Sequence, residues 1–406
     1  MLNRLINIKD YVIDSASTVF DEQNKIVKLY MLPQRAAICN HCGCLCEQVK
    51  DRNLRKYRDL YFGIWKAEIW IHKRRVVCST CGIKSERTLF ADERSNFTRR
   101  FEISVFRDTI EEPLAKVSNR WCISWDATRN IERKYLQIWE QYKGPPRKVK
   151  WLGIDEICFG SKDNLYTVVS DLERGEVLGL ISGNCTGSID SFFKHMGIAF
   201  CNSVQAVCID MWKAFATSVR NNCKNARIVY DKFHIIRHLN NAVDEVRRSE
   251  FFRKGTENRE IVRGKRWLIL RRWFNLSRSQ KSLLKDVFAI NRRLAKAHYL
   301  KEIFGHLWFY KSRKWAIEFL NRWRAELRWQ RLLPLEKFYS MIEKHLDGIL
   351  NYCDIKIPLG FVESLNGKIK TLLRRTRGFM DEKHFALRIM FMTDSQRHNF
   401  LSTFHT

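Results

Sequence analysis

Residues 150–160, KWLGIDEICFG, decide the fold class. A short run of apolar residues that closes on Asp155 reads as an interior strand with a carboxylate at its end. NLYTVVSDLE at 164–173 and EVLGLISGN at 176–184 read as two more strands. The pattern then alternates: a helix from about Ser188, the strand in VQAVCID (204–210), a helix from about Lys213, the strand in ARIVYDKF (226–233) and a long helix from His234. Three strands followed by helix and strand in turn predict a mixed sheet in a multidomain α/β protein.

Asp210 ends its strand as Asp155 ends the first, and a carboxylate there is costly unless a cation or a partner neutralises it. A third acid, Glu363, opens FVESLNGKIK (361–370). Phe361, Leu365, Ile369, Leu372 and Leu373 fall on one stripe of that helix, and Glu363, Asn366, Gly367, Lys370 and Arg374 share another face. Carboxylate oxygens suit Mg²⁺ or Mn²⁺. Two such ions about 4 Å apart can activate an attacking oxygen and stabilise a leaving one in phosphodiester cleavage and transfer. Other acids compete. Glu156 follows Asp155 and is expected on the opposite face of the strand, so that only one of the two reaches the site easily. Asp171 and Asp231 also end strand-like runs, and Asp231 with His234 reads as support for the fold beside the site, with direct reach of His234 to substrate or metal as the alternative.

The 406 residues carry 73 Lys and Arg against 44 Asp and Glu, a formal charge of +29. So large an excess points to a polyanionic partner, with nucleic acid the leading class. The N-terminal MLNRLINIKDYVIDS has no apolar core followed by a cleavage site, and no run of about 18 apolar residues occurs, which predicts a cytoplasmic protein that does not engage a membrane. The cysteines number 13, an odd count, with Cys158, Cys185 and Cys208 set singly in apolar runs. Reduced thiols, mostly in the core, fit that usage better than a disulfide framework.

Cys39, Cys42, Cys78 and Cys81 form two CxxC pairs, each followed by Gly, with 35 residues between them. Two such knuckles supply four thiolates, so a structural Zn²⁺ site follows, although His41, Cys44 and Cys46 in CNHCGCLC offer alternative ligands. RNLRKYRDL and WKAEIWIHKRR between the knuckles predict a small basic β module. Successive helices are expected over 101–110 and 114–139, with Ser124 as an N-cap. A helix-turn-helix here would bring Trp125, Thr128 and Arg129 to a major groove. QYKGPPRKVK (141–150) reads as a linker. The stretch 247–274, with ten basic and three acidic residues and interleaved aromatics, suits tracking of phosphates. Six of the 13 Trp (267, 273, 308, 315, 323 and 329) lie in the helical, basic region from about 252 to 355, and most are assigned to packing.

CNHCG, RRVVCSTCG, GIDE, YTVVSDLE, IDMWKAF, VYDKFHIIRHLNNAVDEVRR and ESLNGKIKTLLRRTRGF, in that order, resemble the DDE transposases of insertion sequences, most closely the ISL-three family with its N-terminal cysteine module. The resemblance covers nearly the whole chain. It implies a zinc-binding module at 1–95, a helix-turn-helix region and linker at 96–150, an RNase H-like core at 151–250 and 358–406, and an all-helical insertion at 251–357. Asp155, Asp210 and Glu363 would bind two Mg²⁺ or Mn²⁺ ions as the catalytic triad. Asn366, Lys370, Arg374 and Arg375, with Thr128 and Arg129, would contact double-stranded DNA. The implied function is binding of terminal inverted repeats, 3′-end cleavage and strand transfer by a homo-oligomer on paired ends, at the nucleoid of a bacterial cell. An inactive DNA-binding regulator derived from such an enzyme is the alternative.

Overall fold

Alternation between buried and exposed side chains builds the first sheet. In the computed structural model, which describes residues 6–158, 165–253, 262–358, 360–376 and 381–404, two compact units are formed, 1–142 with 399–406, and 143–398. The side chains of Arg253, Glu363, Arg375 and Thr376 lie outside the described ones.

The first unit contains β1 (Tyr11–Ile13), β2 (Val19–Asp21), β3 (Ile26–Pro33), β4 (Ala37–Ile38), β5 (Leu45–Cys46), β6 (Val49–Phe62), β7 (Trp65–Cys78) and β8 (Gly82–Ser85). Its larger sheet runs β1-β3-β7-β6, with β2 on β3 and β8 on β7. Ala67, Ile69 and Ile71 of β7 point inward at period two and meet Val27, Leu29 and Met31 of β3. Three helices follow, α1 (Arg99–Glu111), α2 (Leu114–Trp121) and α3 (Trp125–Lys143). The Thr98 hydroxyl caps α1 by accepting from the Phe101 amide, and Ser124 caps α3 by accepting from the Ala127 amide at 3.1 Å.

The second unit is organised by β9 (Trp151–Cys158), β10 (Leu165–Asp171), β11 (Glu176–Ser182), β12 (Ala206–Ile209) and β13 (Arg227–Tyr230). The order is β11-β10-β9-β12-β13, a three-strand antiparallel meander continued by two strands parallel to β9. Connecting helices are α4 (Thr186–Met196), α5 (Ile198–Ser203), α6 (Lys213–Asn222) and α7 (Lys232–Arg253). Leu152, Ile154, Val207 and Ile209 pack on one side against Phe193, Phe215, Val219, Ile235 and Leu239. That core continues without a break into α8 (Arg266–Leu270), α9 (Arg278–Ile290), α10 (Arg292–Phe304), α11 (Arg313–Leu327), α12 (Leu333–Lys344) and α13 (Leu346–Asp354). On the other side Ile157, Tyr166 and Val168 meet α14 (Gly360–Thr376) and α15 (Glu382–Thr393) through Leu365, Ile369, Leu372 and Phe385.

Several expectations change. Trp308 and Trp323 are buried, but Trp267, Trp315 and Trp329 are exposed, so packing accounts for fewer of these rings than expected. Trp315 lies beside the inward stripe of α11, which runs through Ala316, Phe319, Leu320 and Trp323. Cys208 is a core thiol, whereas Cys158 and Cys185 are exposed. On α14 Val362, not Phe361, joins the buried stripe, and the Phe361 ring lies against Gly175 at the β10–β11 turn. No helix among the described residues is long and apolar enough to cross a membrane.

Candidate active site

Parallel register sets the acids side by side. Ile154 of β9 pairs with Ile209 of β12, and Ile209 pairs with Tyr230 of β13. The next residue in each case is Asp155, Asp210 or Asp231, so three carboxylates come from three adjacent strands. Asp210 and Asp231 directly follow β12 and β13, whereas Asp155, expected at a strand end, lies within β9, which continues to Cys158 through its pairing with β10. With neighbouring strands about 4.8 Å apart, adjacent acids are within reach of one shared ligand. Side-chain exposure falls from 33 % at Asp210 to 14 % at Asp155 and 9 % at Asp231, which puts Asp210 nearest solvent and Asp231 at the floor.

His234, in the first turn of α7, stands among them. Its Nδ1 is 3.0 Å from Asp210 Oδ2, and its Nε2 is 3.6 Å from Asp155 Oδ1 and 3.9 Å from Asp231 Oδ2. Burial pushes the Asp155 and Asp231 carboxyls above the usual range. Burial also opposes ionisation of Asp210, but the hydrogen bond and charge of His234 outweigh it and hold that carboxyl low. The same Asp210 contact raises His234. Backbone amides fix the carboxylates: Glu156 N–H donates to Asp155 Oδ1 at 2.8 Å, Met211 N–H to Asp210 Oδ1 at 2.6 Å and Phe233 N–H to Asp231 Oδ1 at 2.9 Å.

Helix α14 reaches Asp155 because residue 153 is glycine. A Cβ there would lie 2.8 Å from Leu172 Cδ2, 2.8 Å from Ser170 Oγ and 3.2 Å from Val362 Cγ2. Asn366 then donates its amide to Asp155 Oδ2. Position 363 is one turn before Asn366 on α14, and the side chain of Glu363 lies outside the described ones. Asp155, Asp231, His234, Asn366 and Lys370 line a groove of about 660 Å³. Glu156 also reaches this groove, contrary to the expected either-or, and its carboxylate accepts from the Asn184 amide at 2.9 Å. Asp171 has a structural role, paired with Arg147 at 2.6 Å.

The other expected residues are distributed unevenly. Lys370 and Arg374 are exposed on α14, while the Arg375 side chain lies outside the described ones. Arg129 lies over the exposed Trp125 ring, 5.5 Å from its centroid. Thr128 corrects the expectation for a groove-reading residue: it is fully buried and its hydroxyl donates to the Ser124 carbonyl. Its spacing with Ile131, Tyr135, Leu136 and Trp139 puts it on the inward stripe of α3, a signal present in the sequence.

A second ligand set lies in the first unit. One ligand atom from each of Cys39, Cys42, Cys78 and Cys81 lies within 4.8 Å of the others, so the cluster could hold a metal ion. Gly43 and Gly82, at φ +81° and +69°, turn the chain back after each pair. Neighbouring amides lower the Cys39, Cys42 and Cys78 thiols, and contact with Cys42 pushes Cys81 up to about 12. Four thiolates this close need a cation to coexist, which fits the donor set to zinc.

A family model described as transposase matches residues 152–389, a span that includes Asp155, Asp210 and position 363. The chain belongs to the ISL-three family of insertion-sequence transposases. The transposase for insertion sequence element IS1001 of Bordetella parapertussis is 26 % identical over 375 residues, covering 91 % of this chain and 92 % of that protein. The transposase for IS1557 of Mycobacterium tuberculosis (strain H37Rv) is 23 % identical over 372 residues, covering 85 % and 84 %. In this family member, the groove also takes Lys232, Arg237 and Arg272. Arg272 belongs to the basic stretch 247–274 expected to track phosphates, whereas Lys232 and Arg237 were not singled out. Lys232 and Arg237 flank His234 in DKFHIIR, and that local pattern was the available signal.

Proposed function

We propose that this ISL-three family member is a DNA transposase that binds the inverted ends of its element, cleaves their 3′ ends and joins them to target DNA. The observation that carries the reading is the adjacency of Asp155 and Asp210 across the β9–β12 ladder, with Asp155 lining a groove beneath α14 and Asp210 joined to it through His234. The strand order, an antiparallel meander followed by two parallel strands, supports an RNase H-like core.

Asp155, Asp210 and Glu363 would hold Mg²⁺ or Mn²⁺, which supplies Lewis-acid charge at the attacking and leaving oxygens. Burial with no full counter-charge on Asp155, and hard oxygen donors on adjacent strands, fit such ions. Asn366 and the Glu156 amide orient Asp155, so Asn366 acts on the carboxylate in this reading. His234 and the Met211 amide orient Asp210. Lys370, Arg374 and Arg375 would hold the DNA backbone. Trp125 and Arg129 remain the readers on α3, without Thr128. The cysteine cluster would bind structural Zn²⁺, and the enzyme would act as a homo-oligomer on paired ends.

The test is Mg²⁺-dependent cleavage and joining of element-end DNA by the wild type, Asp155→Ala, Asp210→Ala and Glu363→Ala. Loss of both steps in each variant, with end binding kept, is expected. End binding without chemistry in the wild type would favour the regulator, and a trapped covalent protein–DNA adduct would overturn the metal mechanism.

A further inference from the structure

We propose that Arg272, carried on the helical region between β13 and α14, is a phosphate-binding residue of the active-site groove, positioned by the buried Lys301 and its half-buried partner Glu302. This deepens the transposase reading and rests on it for the identity of the ligand, a DNA strand.

Helix α8 stops at Leu270, and Arg271 and Arg272 continue extended, at φ −64°, ψ 148° and φ −65°, ψ 141°. The turn is held from both sides. Lys301 Nζ donates to the carbonyls of Ile269 at 3.3 Å, Leu270 at 3.0 Å and Arg271 at 3.0 Å, and pairs with Glu302 Oε1 at 2.9 Å. Glu302 Oε2 accepts from the Trp273 amide at 3.3 Å. Residue 272 is therefore bracketed by bonds to 271 and 273. Burying an ammonium and a carboxylate stabilises a fold less than a well-packed apolar pair of similar size. Here the pair's hydrogen bonds hold the backbone on both sides of Arg272.

The groove supplies the second observation. Arg272 lines it together with Lys232, Arg237 and Lys370, beside Asp155 and His234. Among the described residues none of these four cations has a carboxylate within ion-pairing distance, whereas Arg74, Arg147, Arg293 and Arg313 all do. Burial, followed by the charges of Arg272 and Lys356, lowers Lys232. Like charges gathered beside one groove repel one another until a polyanion enters, and a phosphodiester backbone supplies that charge at regular spacing. The planar guanidinium of Arg272 can take two oxygens of one phosphate.

The experiment measures binding of the full chain to a short mixed-sequence DNA duplex by fluorescence anisotropy over a salt series. Wild type, Arg272→Ala, Arg272→Lys and Lys301→Met are compared, each with its thermal unfolding curve. Loss of one phosphate contact should reduce the magnitude of the slope of log affinity against log salt by about 0.9 in Arg272→Ala. Arg272→Lys should keep the slope, and Lys301→Met should lose the same increment while still folding. If Lys301→Met does not fold, Glu302→Ala, which frees the Trp273 amide, replaces it with the same expectation. An unchanged slope in Arg272→Ala overturns the phosphate contact, and an unchanged slope in the folded clamp variant overturns the positioning role. Failure of the transposase reading would instead show as cleavage that survives Asp155→Ala, whatever the slopes.

Discussion

The cysteine cluster and the carboxylate row are both ligand sets, and they are assembled by opposite means. Four thiols come from two tight turns, 39–42 and 78–81, each closed by a glycine in the left-handed region. The carboxylates come from separate strands, Asp155 from within β9 and Asp210 and Asp231 from just past β12 and β13. Their proximity depends on the register that pairs Ile154 with Ile209 and Ile209 with Tyr230. The thiol set should therefore respond chiefly to changes in its own turns. The carboxylate set should respond to whatever shifts strands or helices that pack on the sheet.

The largest expected effect comes from removing a carboxylate. Asp155→Ala and Asp210→Ala should each lower single-turnover cleavage on the order of 10³-fold or more. Folding should survive, because burial already opposes the charge of Asp155. A variant that keeps cleavage within about tenfold of wild type would remove its acid from the chemistry. Next comes the thiol set. Cys78→Ser should reduce bound zinc from about one ion per chain to none, read by elemental analysis of purified protein. Cys44→Ser and Cys46→Ser should retain the ion, since neither thiol belongs to the four that converge. Zinc loss in either would mean that CNHCGCLC chelates through its alternative ligands.

The two sets were legible in the sequence to different depths. CxxC followed by Gly states its own geometry, so the four thiols could be named with no knowledge of the sheet. Asp155 and Asp210 could be placed on strands, Asp210 correctly at an end and Asp155 three residues short of one, but which acids become neighbours is settled by register. That is why Asp231 joins the row and Asp171, also at a strand end, pairs with Arg147. His234 enters because α7 begins directly after β13 and its first turn points the imidazole back along the row. Thr128 failed through helix phase, since its inward spacing outweighed its position near a helix start. Arg272 was legible only as one of ten basic residues in 247–274, because its placement depends on Lys301 and Glu302, about 30 residues later in the chain, holding a two-residue extension after α8.

Two glycine substitutions sharpen the contrast at smaller magnitude. Gly153→Ala leaves the backbone conformation unstrained but drives a methyl into Leu172, Ser170 and Val362. Overpacking of this kind costs about 1–3 kcal/mol. Because Val362 is on α14, the strain should also displace Asn366 from Asp155, so cleavage should fall roughly 10- to 100-fold, as for loss of a supporting contact. Melting and single-turnover cleavage check both parts, and full activity with lowered stability would mean that α14 does not set the carboxylate geometry.

Gly43→Ala tests the opposite construction. Its added Cβ meets only Arg87 Nη2, at 3.9 Å, so space is available, but φ is +81°. The cost is the conformational penalty of an L-residue there, about 1–2 kcal/mol. That penalty should weaken zinc affinity through the knuckle alone and leave cleavage by the carboxylate row within about twofold at saturating zinc. Competition with a zinc indicator measures the first effect and the cleavage assay the second. A fall in cleavage as large as that of Gly153→Ala, with zinc still bound, would couple the two ligand sets and remove the distinction between local and register-dependent construction.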